Sequence, residues 1–168
     1  MCIRDRYSTG IIYELRNIKI IAWTTLIFGI VLFIADRNRF DKKISSNLNF
    51  QSILFISLFQ ILSLVPGVSR AGITITAARI LRFNRLDSSK ISFLLSIPAL
   101  GGASFLGLKD VITQSVELSY LVVIAIAASF IFSFMTVKFF LIYINKFSMN
   151  AFVIYRILIA LILFSIIY

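Results

Sequence analysis

The sequence predicts an all-α integral membrane protein of about four transmembrane helices plus one re-entrant helical hairpin. Three observations carry that class. Of the 168 residues, 60% are hydrophobic and only 14% charged, against about 25% charged in a soluble domain. Mean hydropathy is +0.98. Apolar runs recur along the chain at lengths that cross a hydrocarbon core about 30 Å thick at about 1.5 Å per residue. A single membrane domain over 11–168 follows. Before it stands a polar head, 1–10 (MCIRDRYSTG), which lacks the apolar stretch of a signal peptide and is set aside from the domain, with a non-native origin left open.

The first span is 20–35, closed by the polar cluster that begins at Asp36 and Arg37. Three more runs, 91–108, 118–137 and 151–168, hold 18 to 20 residues each with few charges. Between the first and second spans the pattern changes. An apolar stretch over 53–65 leads into PGVSRAGIT at 66–74, and a second apolar piece ends near 81. Each arm is too short to cross comfortably, and Pro66 and Gly67 favour a turn between them. The reading is a hairpin over about 50–83 that enters and leaves by the same side.

Charge agrees with that topology. Loop 36–49 is net +2 (Arg37, Arg39, Lys42 and Lys43 against Asp36 and Asp41), and 79–90 is net +3 (Arg79, Arg82, Arg85 and Lys90 against Asp87). A hairpin puts both basic loops on one face, as the positive-inside rule prefers. Lys109, Asp110 and Glu117 fall on the other side, and Lys138 and Lys146 return to the first. Arg79, Arg82 and Arg85 read as an interfacial basic stripe. Small residues at four-residue spacing, Ala99, Ala103 and Gly107 in one span and Ala125, Ser129 and Ser133 in another, read as helix-packing positions. Pro98 is expected to kink its helix with Ser96 helping to satisfy the freed backbone groups, and Gln60 to bridge two helices.

Composition excludes several chemistries. There is no histidine and one cysteine, Cys2, so histidine catalysis, an intramolecular disulfide and a thiolate zinc site are absent from this chain. The net charge of +10 comes from residues scattered at the ends of apolar runs, which fits membrane lipids or an anionic ligand better than nucleic acid. The carboxylates Glu14, Asp36, Asp41, Asp87, Asp110 and Glu117 lie at segment ends and none is placed as a base or metal ligand.

The hairpin tip is the candidate site. Irregular backbone at membrane depth needs protein or a wet cavity around it, and an arginine there needs water, an anion or a carboxylate. Arg70 offers a planar fork of donors suited to phosphate oxygens. Ser69 and Thr74 add hydroxyls, and the amides near Gly72 open the next helix, a setting that favours an anion. Gly67, Ser69, Arg70, Gly72 and Thr74 are therefore the candidate phosphate-binding set. The bland alternative is a kink with a snorkelling arginine. Arg156, five residues into the last predicted helix, reads as snorkelling or bonded to a carbonyl.

PGVSRAGIT, followed by SFLLSIP at 92–98 and Gly102-Ala103, resembles the second signature region of the bacterial undecaprenyl-diphosphate phosphatases, the bacitracin-resistance family; the segment FVIYR at 152–156 is similar to that family's C-terminal helix. The resemblance runs from about 12 to 168. It implies a multi-pass hydrolase of the bacterial inner membrane that converts undecaprenyl diphosphate to the monophosphate carrier for cell-wall synthesis, with Arg70 and Ser69 as catalytic residues. The family's second tip serine is Ala71 here. Its glutamate-rich motif and histidine, carried on a first inverted repeat, have no counterpart, so the chain looks like the C-terminal half and is expected to be inactive alone. No cofactor is expected in this chain; a divalent cation in the complete enzyme and a homodimer are left open. An anion transporter built on a discontinuous helix, or a non-catalytic membrane subunit, are the competing classes.

Overall fold

The computed structural model describes residues 17–37, 40–113 and 120–167. The polar head with Cys2, Glu14, Arg39 and Glu117 lie outside them, as do the side chains of Lys109 and Asp110. Seven helices follow in order: α1 (Ile18–Asp36), the single turn α2 (Ile44–Asn47), α3 (Phe50–Ile61, extended by a 3-10 turn, Leu62–Leu64), α4 (Arg70–Ile80), α5 (Arg85–Thr113), α6 (Tyr120–Lys146) and α7 (Asn150–Ile167). No β-strand occurs among the described residues. The protein is an all-α integral membrane protein, and α1, α5, α6 and α7 are the four helices long and apolar enough to span a bilayer.

Local chemistry sets the boundaries. Asn17 caps α1 through the Lys19 amide, Asn49 caps α3 through the Ser52 amide, and Ser69 caps α4 through the Gly72 amide. Each satisfies a donor that the first helical turn leaves without an internal partner. α5 begins before the apolar run predicted from 91, because Asn84 accepts from the Asp87 amide at 2.7 Å and so starts the helix at Arg85. α6 runs on past 137 to Lys146. Apolar runs mark where a helix meets lipid; caps and propensity mark where it ends, so the two differ at charged flanks.

The short arm α4 sits at the centre. All residues from Gly72 to Arg79 are buried, because α1, α3 and α5 pack around it. Its threonines turn their hydroxyls back onto their own helix, Thr74 to the Arg70 and Ala71 carbonyls and Thr76 to the Gly72 carbonyl, and so enter an apolar setting with their protons used. α1 presents Ala22, Thr25, Gly29 and Leu32 as a buried stripe at helical spacing. Gly29 lets α7 approach, since a Cβ there would stand 3.4 Å from the Arg156 Cβ.

The hairpin arms leave and return at one end. Lys42 bridges to Phe83, Ile44 donates its amide to Asp87 at 3.1 Å, and Arg85 pairs with Asp36 at 2.8 Å. The two basic loops therefore meet. The small-residue stripes behave otherwise than expected: Ala99 and Ala103 on α5, and Ala125, Ser129 and Ser133 on α6, are exposed and Gly107 is half-buried, so the stripes are not buried against another helix among the described residues. Pro98 lies inside continuous α5, and Ser96 donates to Phe93 at 2.6 Å rather than to the Leu94 carbonyl that a proline four residues on sets free. Gln60 makes no helix-to-helix bond through Oε1, which is buried without a partner among the described residues.

Candidate functional site

The linker 65–69 between α3 and α4 holds the irregular backbone at the hairpin tip, and α1 satisfies it. Thr24 donates to the Pro66 carbonyl at 2.7 Å, and Thr25 approaches the Gly67 carbonyl at 3.4 Å. Gly67 has φ +89°, a conformation open to glycine, and a Cβ there would strike the Thr24 hydroxyl and lie 2.7 Å from the Ile21 carbonyl. Gly67 is thus placed by turn geometry and by contact with α1.

Ser69 and Arg70 open α4. Helix geometry leaves the amides of Arg70 and Ala71 without intrahelical acceptors, while the Ser69 oxygen takes the Gly72 amide at 3.2 Å and keeps its own proton to donate. The two sides of this helix start differ. On one side Arg70 donates through Nη2 to the Leu95 carbonyl of α5 at 3.1 Å, and Thr74, fully buried, bonds to Ser92 at 2.6 Å. On the other side Ser69, Ala71 and Gly72 line a cavity of about 350 Å³ with Arg156. The five sequence-predicted residues share one tip, but Arg70 and Thr74 face α5 while Ser69 and Gly72 face the cavity.

Arg156, read from the sequence as snorkelling or bonded to a carbonyl, lies instead at the candidate site. It is 8% exposed and lies against the α4 start: a Cβ on Gly72 would come within 2.5 Å of its Nη2. A glycine in the first turn of one helix and an arginine inside another apolar run were the available signals, but only the packing of α7 on α1 brings the two together. Arg156 is buried rather than exposed, and its Nη1 has no hydrogen-bond partner among the described residues.

A second cluster closes the basic end. Asp36, 2% exposed, accepts from Arg85 Nε at 2.8 Å, pairs with Arg79 Nε at 3.3 Å and accepts the Met149 amide at 3.2 Å. Arg79 also donates to the Phe83 carbonyl at 2.9 Å. Burial pushes the Arg79 guanidinium below its ordinary value, Asp36 opposes that, and Arg85 adds to it. The expected basic stripe is therefore broken, since Arg79 is an interior ion-pair residue at 1% exposure. Among the described residues no group of three acidic, histidine or cysteine side chains could hold a metal ion; the Asp36 oxygens are engaged, and no metal is given a role here.

A profile described as bacitracin resistance protein BacA matches residues 7–162. The chain belongs to the BacA family. Among curated BacA relatives, an undecaprenyl-diphosphatase of Pelagibacter ubique is 72% identical over 162 residues, 96% of this chain and 63% of that protein. Undecaprenyl-diphosphatases of Elusimicrobium minutum and Teredinibacter turnerae are each 39% identical, over 92% and 90% of this chain and 60% and 58% of theirs. The chain thus spans about three fifths of the length of the relatives it matches.

Proposed function

We propose that this BacA chain contributes the phosphate-holding part of an undecaprenyl-diphosphate phosphatase, a multi-pass enzyme of the bacterial inner membrane that regenerates the monophosphate lipid carrier of cell-wall synthesis. The observation that carries the reading is the α4 N-terminus. Its free amides and the Ser69 hydroxyl stand at the polar end of a cavity whose other walls include Leu32, Ile75, Phe140 and Phe152. One polar end and apolar walls suit an amphiphile with an anionic head. At 11 residues, α4 is about 16 Å long, so its start lies near half the depth of a hydrocarbon core of about 30 Å. A diphosphate on a membrane lipid reaches that depth only where such donors meet it.

Cleaving the phosphoric anhydride puts added charge on the equatorial oxygens of the transferred phosphoryl group, and donors fixed beforehand stabilise it. Arg70, which stands at the same helix start but turns toward α5 rather than into the cavity, is assigned that role on the part of the diphosphate that extends beyond the cavity. Its bond to Leu95 uses one of five N–H donors, and Gly67 and Thr74 fix the turn and the helix on which it stands. The chain offers no histidine, and Asp36 and Asp87 are tied up in the basic end, so activation of water falls to groups elsewhere in the working enzyme. The test is phosphate release from undecaprenyl diphosphate in proteoliposomes, with this chain supplied alone and then together with the part of the Pelagibacter relative that it does not match. The expected result is release only in the combined sample, lowered at least about 100-fold by Arg70→Ala. Release by the chain alone, or uptake of the lipid phosphate without release, overturns the assignment, the latter in favour of transport.

A further inference from the structure

We propose that Arg156 is a second cationic ligand of this site: with the α4 N-terminus it seats the phosphate group of an isoprenoid phosphate whose first units lie along the apolar wall of the same cavity. The proposal rests on the reading above and adds a residue that the reading does not use.

The placement of the side chain excludes its ordinary uses. Arg156 stands six residues after the start of α7 at Asn150, about 9 Å along the axis, and is buried against α1 and α4, so it does not snorkel. No carboxylate among the described residues pairs with it, and its Nη1 has no acceptor. A buried guanidinium without acceptor or counter-charge is strongly disfavoured unless a ligand supplies both. It shares the cavity with the first turn of α4 and with Ser69, whose hydroxyl keeps a proton to donate. Unprotonated phosphate oxygens accept and do not donate, so the charge and the hydrogen-bond sense both match. Gly72 makes the approach possible, because any side chain there would displace the guanidinium. Beyond the polar end the cavity continues along Ile75, Phe140, Ile144, Met149 and Phe152, with no further charged side chain lining it, which selects an apolar chain on the phosphate.

The test uses the 168-residue chain in lipid nanodiscs and isothermal titration with geranyl diphosphate, inorganic phosphate and geraniol. Geranyl diphosphate is expected to bind more tightly than either of the others. Arg156→Gln is expected to weaken it about 10- to 100-fold, Arg156→Lys less, and neither to alter geraniol. Should Arg156→Gln fail to fold, Gly72→Ala decides, since its methyl pushes the guanidinium from the seat and predicts the same loss. Equal affinity for inorganic phosphate and geranyl diphosphate overturns the isoprenoid assignment. Wild-type affinity in both Arg156→Gln and Gly72→Ala, with loss in Arg70→Ala, overturns the role of Arg156 and leaves the proposed function standing. No binding of either anion by the wild-type chain overturns both.

Discussion

Two arginines are buried among the described residues, and the protein treats them in opposite ways. Arg79 sits at the basic end with Asp36 at 3.3 Å and the Phe83 carbonyl at 2.9 Å. Arg156 sits beside the α4 start with no acceptor for Nη1. Burial is nearly the same, at 1% and 8% exposure; the surroundings differ. A guanidinium whose charge and donors are met from within the chain serves as a fastener, and here it joins the ends of α1 and α4 to the start of α5. One whose donors point with others into a cavity is held ready for an external anion. The contrast separates architecture from binding without reference to either residue's type.

Several substitutions sharpen or break that contrast. The largest effect is expected from Asp36→Asn, which leaves Arg79 buried without its counter-charge; a loss of about 3–5 kcal/mol is expected, read as a lower midpoint in denaturant unfolding of the detergent-solubilised chain. An unchanged midpoint would make the two arginines equivalent and dissolve the distinction. Gly67→Ala comes next, at about 2–3 kcal/mol, because the positive φ and the contact with Thr24 both resist a side chain. It is measured in the same way, and the Ile21 carbonyl should shift its infrared frequency. Ser69→Ala removes the cap of α4 and is expected to cost about 1 kcal/mol, with faster hydrogen exchange at the Gly72 amide. Arg156→Gln is expected to have the smallest effect and the opposite sign, a gain of up to about 1 kcal/mol from relieving an uncompensated buried charge. A loss as large as that of Asp36→Asn would show Arg156 to be a fastener too.

Much of the architecture was legible in the chain, because a membrane selects on length and hydropathy and both are local properties. The four spans, the short-armed hairpin at PGVSRAGIT and the meeting of the two basic loops follow from local runs and charge counts. Helix ends were less legible, since Asn84 and Asp87 extend α5 by capping rather than by apolarity. The site was legible in half. Ser69, Gly72 and the helix start are encoded in one motif, but which side of α4 each residue faces depends on neighbours. Arg70 and Thr74 turn to α5 because Leu95 and Ser92 offer them partners there. Arg156 enters from α7, and Arg79 leaves the expected stripe because Asp36, 43 residues earlier, reaches it. Pairings of that sequence separation leave no periodic trace.

The Asp36 cluster also bears on how the chain is assembled during synthesis. Its bond to the Met149 amide closes a loop of 113 residues, and α1 lies against α7, which begins more than 100 residues after α1 ends. Neither contact can form until the intervening residues have emerged, which at about 5–20 residues per second means a wait of several seconds or more for α1. During that interval the Asp36 carboxylate and the Gly29 side of α1 stand without their partners Met149 and Arg156, while Thr24 and Thr25 can already meet the hairpin tip. Until then α1 holds its place without α7, and its mostly apolar circumference, from Trp23 to Ile34, is what lets it wait.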